Sequence, residues 1–282
     1  MRINYRISDI ADYINWAYFF HAWSMPEKTD ESKHLKEEAL KMLKLMQPYV
    51  RVKCAVEILP AYSEGDDVIV HKTYLCECGL YHEYGDPIRI PMLRQQIPNK
   101  DGFCLCLSDF IRPKDSLKKD KIGVFATSVS IDPEKTFPND DFNKMLLQTL
   151  ADRLAEAGAE RLHEEVRKRI WGDSPHENLS INELHSEKFQ GIRPAVGYPC
   201  LPDISLNFVI DELIGFNTIG VKLTEHAMMQ PHASVSGFMI SHPKALYFAI
   251  GKIGEEQIRD YAARRNVPFE EMKKYLVSNI NK

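Results

Sequence analysis

The chain has 282 residues, 44% of them apolar and 27% charged, with a formal net charge of -4. That is enough apolar material for one large domain or two small ones to fold without staples, and the acidic balance argues against a nucleic-acid footprint, though a net figure leaves local patches open. No run approaches the ~20 apolar residues of a membrane span, and MRINYRISDI lacks the basic head and apolar stretch of a signal peptide, so a cytoplasmic location with no membrane partner is expected.

Ser8 to Trp23 is apolar around most of its circumference and reads as a largely buried helix with Asn15 in its middle. Glu31 to Met46 repeats apolar residues at helical spacing (Leu35, Ala39, Met42, Leu43, Met46) and stops before Pro48. Val50–Leu59 and Asp67–Tyr74 are β-branched runs around Gly65 and predict an antiparallel pair. Ile88 to Asn99, with two prolines, is indeterminate. Phe103–Phe110 and Ile122–Val129 read as further strands, the second with Gly123 for close packing.

Asn139 to Ile170 is the longest predicted helix, with Pro138, Asn139, Asp140 and Asp141 at its amino end and Arg167, Lys168 and Arg169 at its carboxyl end, both favourable to the macrodipole. Ala155 to Ala159 is slim enough for something to approach closely, and Glu156 lies in it. By itself Glu156 reads as a surface helix glutamate, paired or solvated. His163, flanked by charge with no nucleophile spaced to suit it, is not an acid-base candidate. Ser180 and Glu183 form a capping box. Asp203 and Ser205 cap a helix to about Phe216, with Asn217 at its exit. Strands are then expected at Thr224–Met229, Ser234–Ser241 and Leu246–Lys252, and helices at Glu255–Arg265 and Pro268–Ser278.

Six cysteines stand at positions 54, 76, 78, 104, 106 and 200. In a chain this long without an export signal they read as reduced thiols. Zinc held by the pairs Cys76/Cys78 and Cys104/Cys106 is disfavoured, because C-x-C lacks the usual two-to-four residue spacer.

The remaining stretch, QGIRPAVGYPCLPD from Gln190 to Asp203, packs three prolines and two glycines into fourteen residues. Such a composition forbids a helix or a central strand and reads as a stiff loop. It carries Arg193, whose planar guanidinium suits a carboxylate, and Tyr198. Local chemistry allows a ligand clamp or a connector whose Arg193 caps a helix end and whose Tyr198 packs on a neighbour.

This segment resembles the RPAxGYP signature of the S-adenosylmethionine-binding activation domain of cobalamin-dependent methionine synthase. ADRLAEAGAERLHEEVRK from Ala151, WGDSPHENLS from Trp171, KLTEHAMMQPHASVSGF from Lys222 and SHPKALYFAIGKI from Ser241 are similar to that family in the same order. The likeness is strong over 139–282 and more divergent over 1–138, where IADYINWAYFFHAW and LPAYSEGDDV carry it. It implies a single α+β domain over 1–282, with antiparallel sheet braced by a long helix. It also implies that Arg193 binds the methionine carboxylate and that Asn15 and Glu156 meet polar groups of S-adenosylmethionine. Tyr247 and Phe248 would take its nucleoside end, and Tyr198 would stand between ligand and corrin. At Asn15 the family has an aspartate, and at Phe248 a second tyrosine, so this sequence departs by one charge and one hydroxyl. Gln230 and His232 stand where the family has tryptophan and glycine, and His232 is not expected to ligate cobalt.

The D-x-H-x-x-G motif that supplies a lower cobalt ligand and the G-x-G-x-x-G loop of Rossmann methyltransferases are both missing from the sequence. The resemblance therefore implies a free-standing activation protein. It would act in trans on a cobalamin-binding methionine synthase subunit, with a flavodoxin-like electron donor, in reductive methylation of cob(II)alamin. The alternatives are a non-catalytic module that senses S-adenosylmethionine or docks a corrinoid protein, and reactivation of a different corrinoid methyltransferase.

Overall fold

The computed structural model describes residues 1–76, 80–131, 137 and 140–280. In chain order the elements are β1 (Arg2–Tyr5), α1 (Ile7–Ile10), α2 (Trp16–Ala22), α3 (Asp30–Met46), β2 (Val50–Glu64), β3 (Asp67–Leu75), β4 (Tyr81–Pro91), β5 (Asp120–Ile131), α4 (Asp141–Glu165), α5 (Ile181–His185), α6 (Leu206–Ile214), β6 (Lys222–Leu223), β7 (Met229–Gln230), β8 (Ser234–Met239), α7 (Glu255–Arg265) and α8 (Phe269–Tyr275). The architecture is α+β, with antiparallel pairing and a long helix. Two compact units form, one from Met1–Val56, Ala126–Phe189 and Gly215–Val235, the other from Glu57–Phe125, Gln190–Ile214 and Ser236–Lys282.

In the first unit α4 is the central element. Asp140 Oδ1 accepts from the Asn143 amide at 3.0 Å and starts the helix, while Pro138 and Asn139 lie outside the described residues. Leu146, Leu150, Leu154 and Leu162 form its buried stripe, and α1, α2 and α3 pack on it. At its end the winding widens to a π turn over Val166–Ile170. A Cβ on Gly158 would stand 2.6 Å from Val52 Cγ1, so the slim section of α4 is where β2 lies against the helix. β1 pairs antiparallel with the start of β2, from Arg2↔Ala55 to Tyr5↔Val52.

The single helix expected over Ser8–Trp23 is broken. A 3₁₀ turn at Ala11–Tyr13 separates α1 from α2, and Asn15 is not mid-helix but caps α2 in an extended conformation. Asparagine is among the best residues for that place, since its side-chain oxygen satisfies an amide the helix cannot. The expected strand at Thr224–Met229 resolves into a small hairpin, Lys222↔Gln230 and Leu223↔Met229.

The strand order of the main sheet is β4-β3-β2-β5-β8, with β1 off this path on β2. β2 and β3 turn at Gly65, with Glu64 opposite Asp67, as the sequence predicts. The expected strand at Phe103–Phe110 is instead loop ending in a 3₁₀ turn, Leu107–Phe110. The cause is Asp109, whose carboxylate accepts from the Cys106 amide at 2.8 Å and receives two bonds from Arg94. Leu246–Lys252 is irregular and joins no ladder among the described residues, because its backbone bonds go to scattered partners. Ile250 N–H donates to Pro199 O at 2.9 Å, and Ala249 O accepts from Gln95 Nε2 at 2.8 Å. α7 and α8 close a core of Ile250, Ile258, Tyr261, Met272 and Leu276. The helix expected from Asp203 ends at Gly215, φ +65°, rather than at Asn217.

Cys54, Cys104, Cys106 and Cys200 are not disulfide-bonded. Cys76 is disulfide-bonded, against the expectation of reduced cysteines throughout, and Cys78 lies outside the described residues. Among the described residues no three histidine, cysteine or carboxylate groups converge as a metal site, and no helix is long and apolar enough to cross a membrane.

Candidate functional site

The segment Gly191–Leu201 is more than a loop. Ile192 exchanges both backbone hydrogen bonds with Ile240 at 2.9 Å, Val196 N–H donates to Ser236 O at 2.9 Å, and Phe238 N–H donates to Pro194 O at 3.0 Å. It thus runs antiparallel along β8 as a short edge, with bridges at Ile192↔Ile240 and Ala195↔Gly237. Proline is tolerated there because Pro194 contributes only its carbonyl. Two glycines make the approach possible. A Cβ on Gly191 would lie 2.3 Å from Ile240 O, and one on Gly237 would lie 2.2 Å from Pro194 O. Gly197, at φ +87°, then turns the chain so that its amide donates to Leu201 O at 2.8 Å.

Arg193 stands at the centre of this edge. Its guanidinium lies over the buried ring of Phe125, 5.6 Å from the centroid, and its amide donates to Tyr247 Oη at 2.8 Å. Pro199 is tied to Ile250 as described, so the strip is held by β8 on one side and by the chain around Tyr247–Ile250 on the other. Phe125 and β8 were not legible as site elements. The signal present was a glycine two residues before an aromatic in a β-branched run, which many strands share.

The six residues singled out from the sequence divide between the two units. In the second, Arg193 and Tyr247 are brought together. Tyr198 is exposed, and its carbonyl accepts from the Leu201 amide at 2.8 Å. Phe248 packs 6.4 Å from Phe110 and onto the α7–α8 core. In the first unit, Asn15 Oδ1 accepts from the Ala17 amide at 3.1 Å, and half-buried Glu156 sits among the buried residues Ala155, Ala157, Gly158 and Ala159.

Nearby chemistry in the first unit is structural. His163 is buried, edge-on to Phe189 at 4.9 Å. Arg167, buried like Glu177, binds it through two hydrogen bonds of 2.8 and 2.7 Å and stacks 4.3 Å over Phe189. Burial opposes ionisation of Glu164, but hydrogen bonds from Tyr13, Lys168 and Arg161 outweigh it and hold the carboxyl below the usual glutamate range. His232 is exposed, with Nδ1 3.4 Å from Asp152 Oδ1.

The Arg193 guanidinium is half-buried and backed by an aromatic face, on a backbone strip fixed from both sides, and a planar guanidinium is the side chain whose geometry suits a carboxylate. The family described as vitamin B12 dependent methionine synthase, activation domain, matches residues 6–266. The crystal structure of the MetH reactivation domain bound to AdoHcy is similar with a TM-score of 0.86 and 37% identity, over 100% of this chain and 90% of that one. This chain belongs to the family of vitamin B12 dependent methionine synthase activation domains.

Proposed function

We propose that this protein binds S-adenosylmethionine and supports reductive methylation of oxidised cob(II)alamin in trans, on a methionine synthase subunit lacking its own activation domain. The observation that carries the reading is Arg193, seated over Phe125 and fixed by Tyr247, in a family with a relative crystallised bound to AdoHcy. When bound, S-adenosylmethionine would supply an activated methyl group, for which the acceptor would be cobalamin carried by the partner protein and reduced by a flavodoxin-like donor.

This chain's own contribution is placement. Arg193 holds the amino-acid carboxylate of the donor, and the Phe125 ring beneath it keeps the guanidinium from swinging away. Tyr247, whose hydroxyl oxygen accepts from the Arg193 amide, is assigned to the nucleoside end on the family resemblance. Phe248, packed on Phe110, is assigned with it to that end. Tyr198, exposed at the turn, is the group we assign to the space between ligand and corrin. Asn15 and Glu156 are assigned to polar groups of the donor on the family resemblance. Fixing the sulfonium carbon in line with its acceptor turns an encounter into a near-attack geometry.

The test is calorimetric. Arg193→Ala should weaken S-adenosylmethionine binding by about 1.5–3 kcal/mol, the range for a hydrogen bond to a charged group. Unchanged affinity would remove the clamp. Formation of S-adenosylhomocysteine on mixing this protein, a reduced cobalamin protein and S-adenosylmethionine distinguishes methyl transfer from mere sensing.

A further inference from the structure

Residues 112–121, RPKDSLKKDK, hold five cations and two carboxylates in a chain whose net charge is -4. The loop is fastened at both ends. Ser63 Oγ donates to Ile111 O at 2.8 Å, the Ser63 amide donates to Arg112 O at 2.8 Å, and the Lys114 amide donates to Ser63 O at 3.2 Å. Asp120 accepts from the Arg112 amide at 2.8 Å and from the Lys121 amide at 2.9 Å. Its charge is thereby directed into the loop's own backbone.

Between this loop and strands β2, β3 and β4 lies a pocket of 210 Å³, entirely within the second unit, sharing no residue with the Gly191–Leu201 strip. Arg112, Lys114, Lys118 and Lys119 line it, against two carboxylates, Glu83 and Asp120. Glu83 sits 3.2 Å from His71 Nδ1 and 3.9 Å from Lys119. Among the described residues, Arg112 and Lys118 have no carboxylate within salt-bridge distance. Tyr62 gives the pocket an aromatic wall, with the Lys114 ammonium 5.7 Å from its centroid and the His71 ring at 5.9 Å.

We propose that this pocket is a second ligand site, one that takes a polyphosphate group, as a nucleotide or as a free phosphate chain. Four cations converging on one concavity, two of them unneutralised, ask for an anion with several charges, and charge-assisted hydrogen bonds from lysine and arginine to phosphate oxygens are the strong kind. A loop pinned at both ends presents those cations without having to be ordered on binding. Tyr62 offers a face on which a base can stack.

The experiment is titration calorimetry of the whole chain with sodium tripolyphosphate and, separately, with ATP, in low-salt buffer without magnesium. One saturable site is expected, weakened at least about tenfold in Lys118→Gln/Lys119→Gln and unchanged in Arg193→Ala. ATP binding tighter than tripolyphosphate, with the difference erased by Tyr62→Ala, identifies a nucleotide; equal affinities identify the phosphate chain alone. Absence of saturable binding at millimolar ligand, or equal affinity for the unaltered chain and the lysine double variant, overturns the proposal. Both lysines are exposed, so the double variant should melt like the unaltered chain. An unchanged S-adenosylmethionine affinity in it separates this site from the proposed clamp.

Discussion

Replacing Gly237 by alanine tests how the Arg193 strip is held. The new Cβ would sit 2.2 Å from Pro194 O, 2.8 Å from Ala195 Cα and 3.0 Å from Phe125 Cε1. Carbon contacts are comfortable at about 3.5–4.0 Å, and the first two atoms are backbone, which no rotamer change can move. The strip must therefore shift by more than ~1 Å, breaking the bonds between Phe238 N and Pro194 O and between Val196 N and Ser236 O. Overpacking costs about 1–3 kcal/mol and each lost hydrogen bond about 1 kcal/mol, for a total of roughly 3–5 kcal/mol. For a chain of this size that lowers Tm by on the order of 10 °C. Thermal melting by circular dichroism reads the loss, and amide exchange at Val196 and Phe238 locates it. An unchanged melting temperature, with both amides as protected as before, would refute the account.

Arg167→Met strands Glu177 in the interior and should cost about 3–5 kcal/mol in urea unfolding, whereas Arg167→Met with Glu177→Leu should recover most of it. Gly158→Ala places a methyl against Val52 and should cost about 1–3 kcal/mol despite alanine's better helix propensity; Val52→Ala in the same chain should relieve part of the cost, seen as a double-mutant coupling. Glu164 has a folded-state pKa below its unfolded value, so its stabilisation is present above the ordinary glutamate range near ~4.3 and is lost as pH falls through the folded value. Glu164→Gln should therefore destabilise most at neutral pH, and urea midpoints of the two proteins should converge in acid.

Much of the fold follows from local chemistry written in the chain. The Gly65 turn, the capping box at Ser180, the acidic start of α4 and the α7 helix are short-range signals, each complete within a few residues, and each forms where the sequence places it. The RPAVGYP segment was recognisable because prolines and glycines constrain backbone wherever they stand.

What only tertiary structure decided was the destination of groups that have more than one use. Asn15 can sit inside a helix or cap one, and capping α2 was settled by the break at Ala11–Tyr13. Leu246–Lys252 has the composition of a strand, but Pro199 and Gln95 take its backbone groups first. The slim flank of α4 reads as open space until Val52 is found against Gly158. A residue's intrinsic preferences are set by its own covalent geometry and belong to the sequence; its partner is set by which distant segment reaches it, and that is known only when the chain has closed on itself.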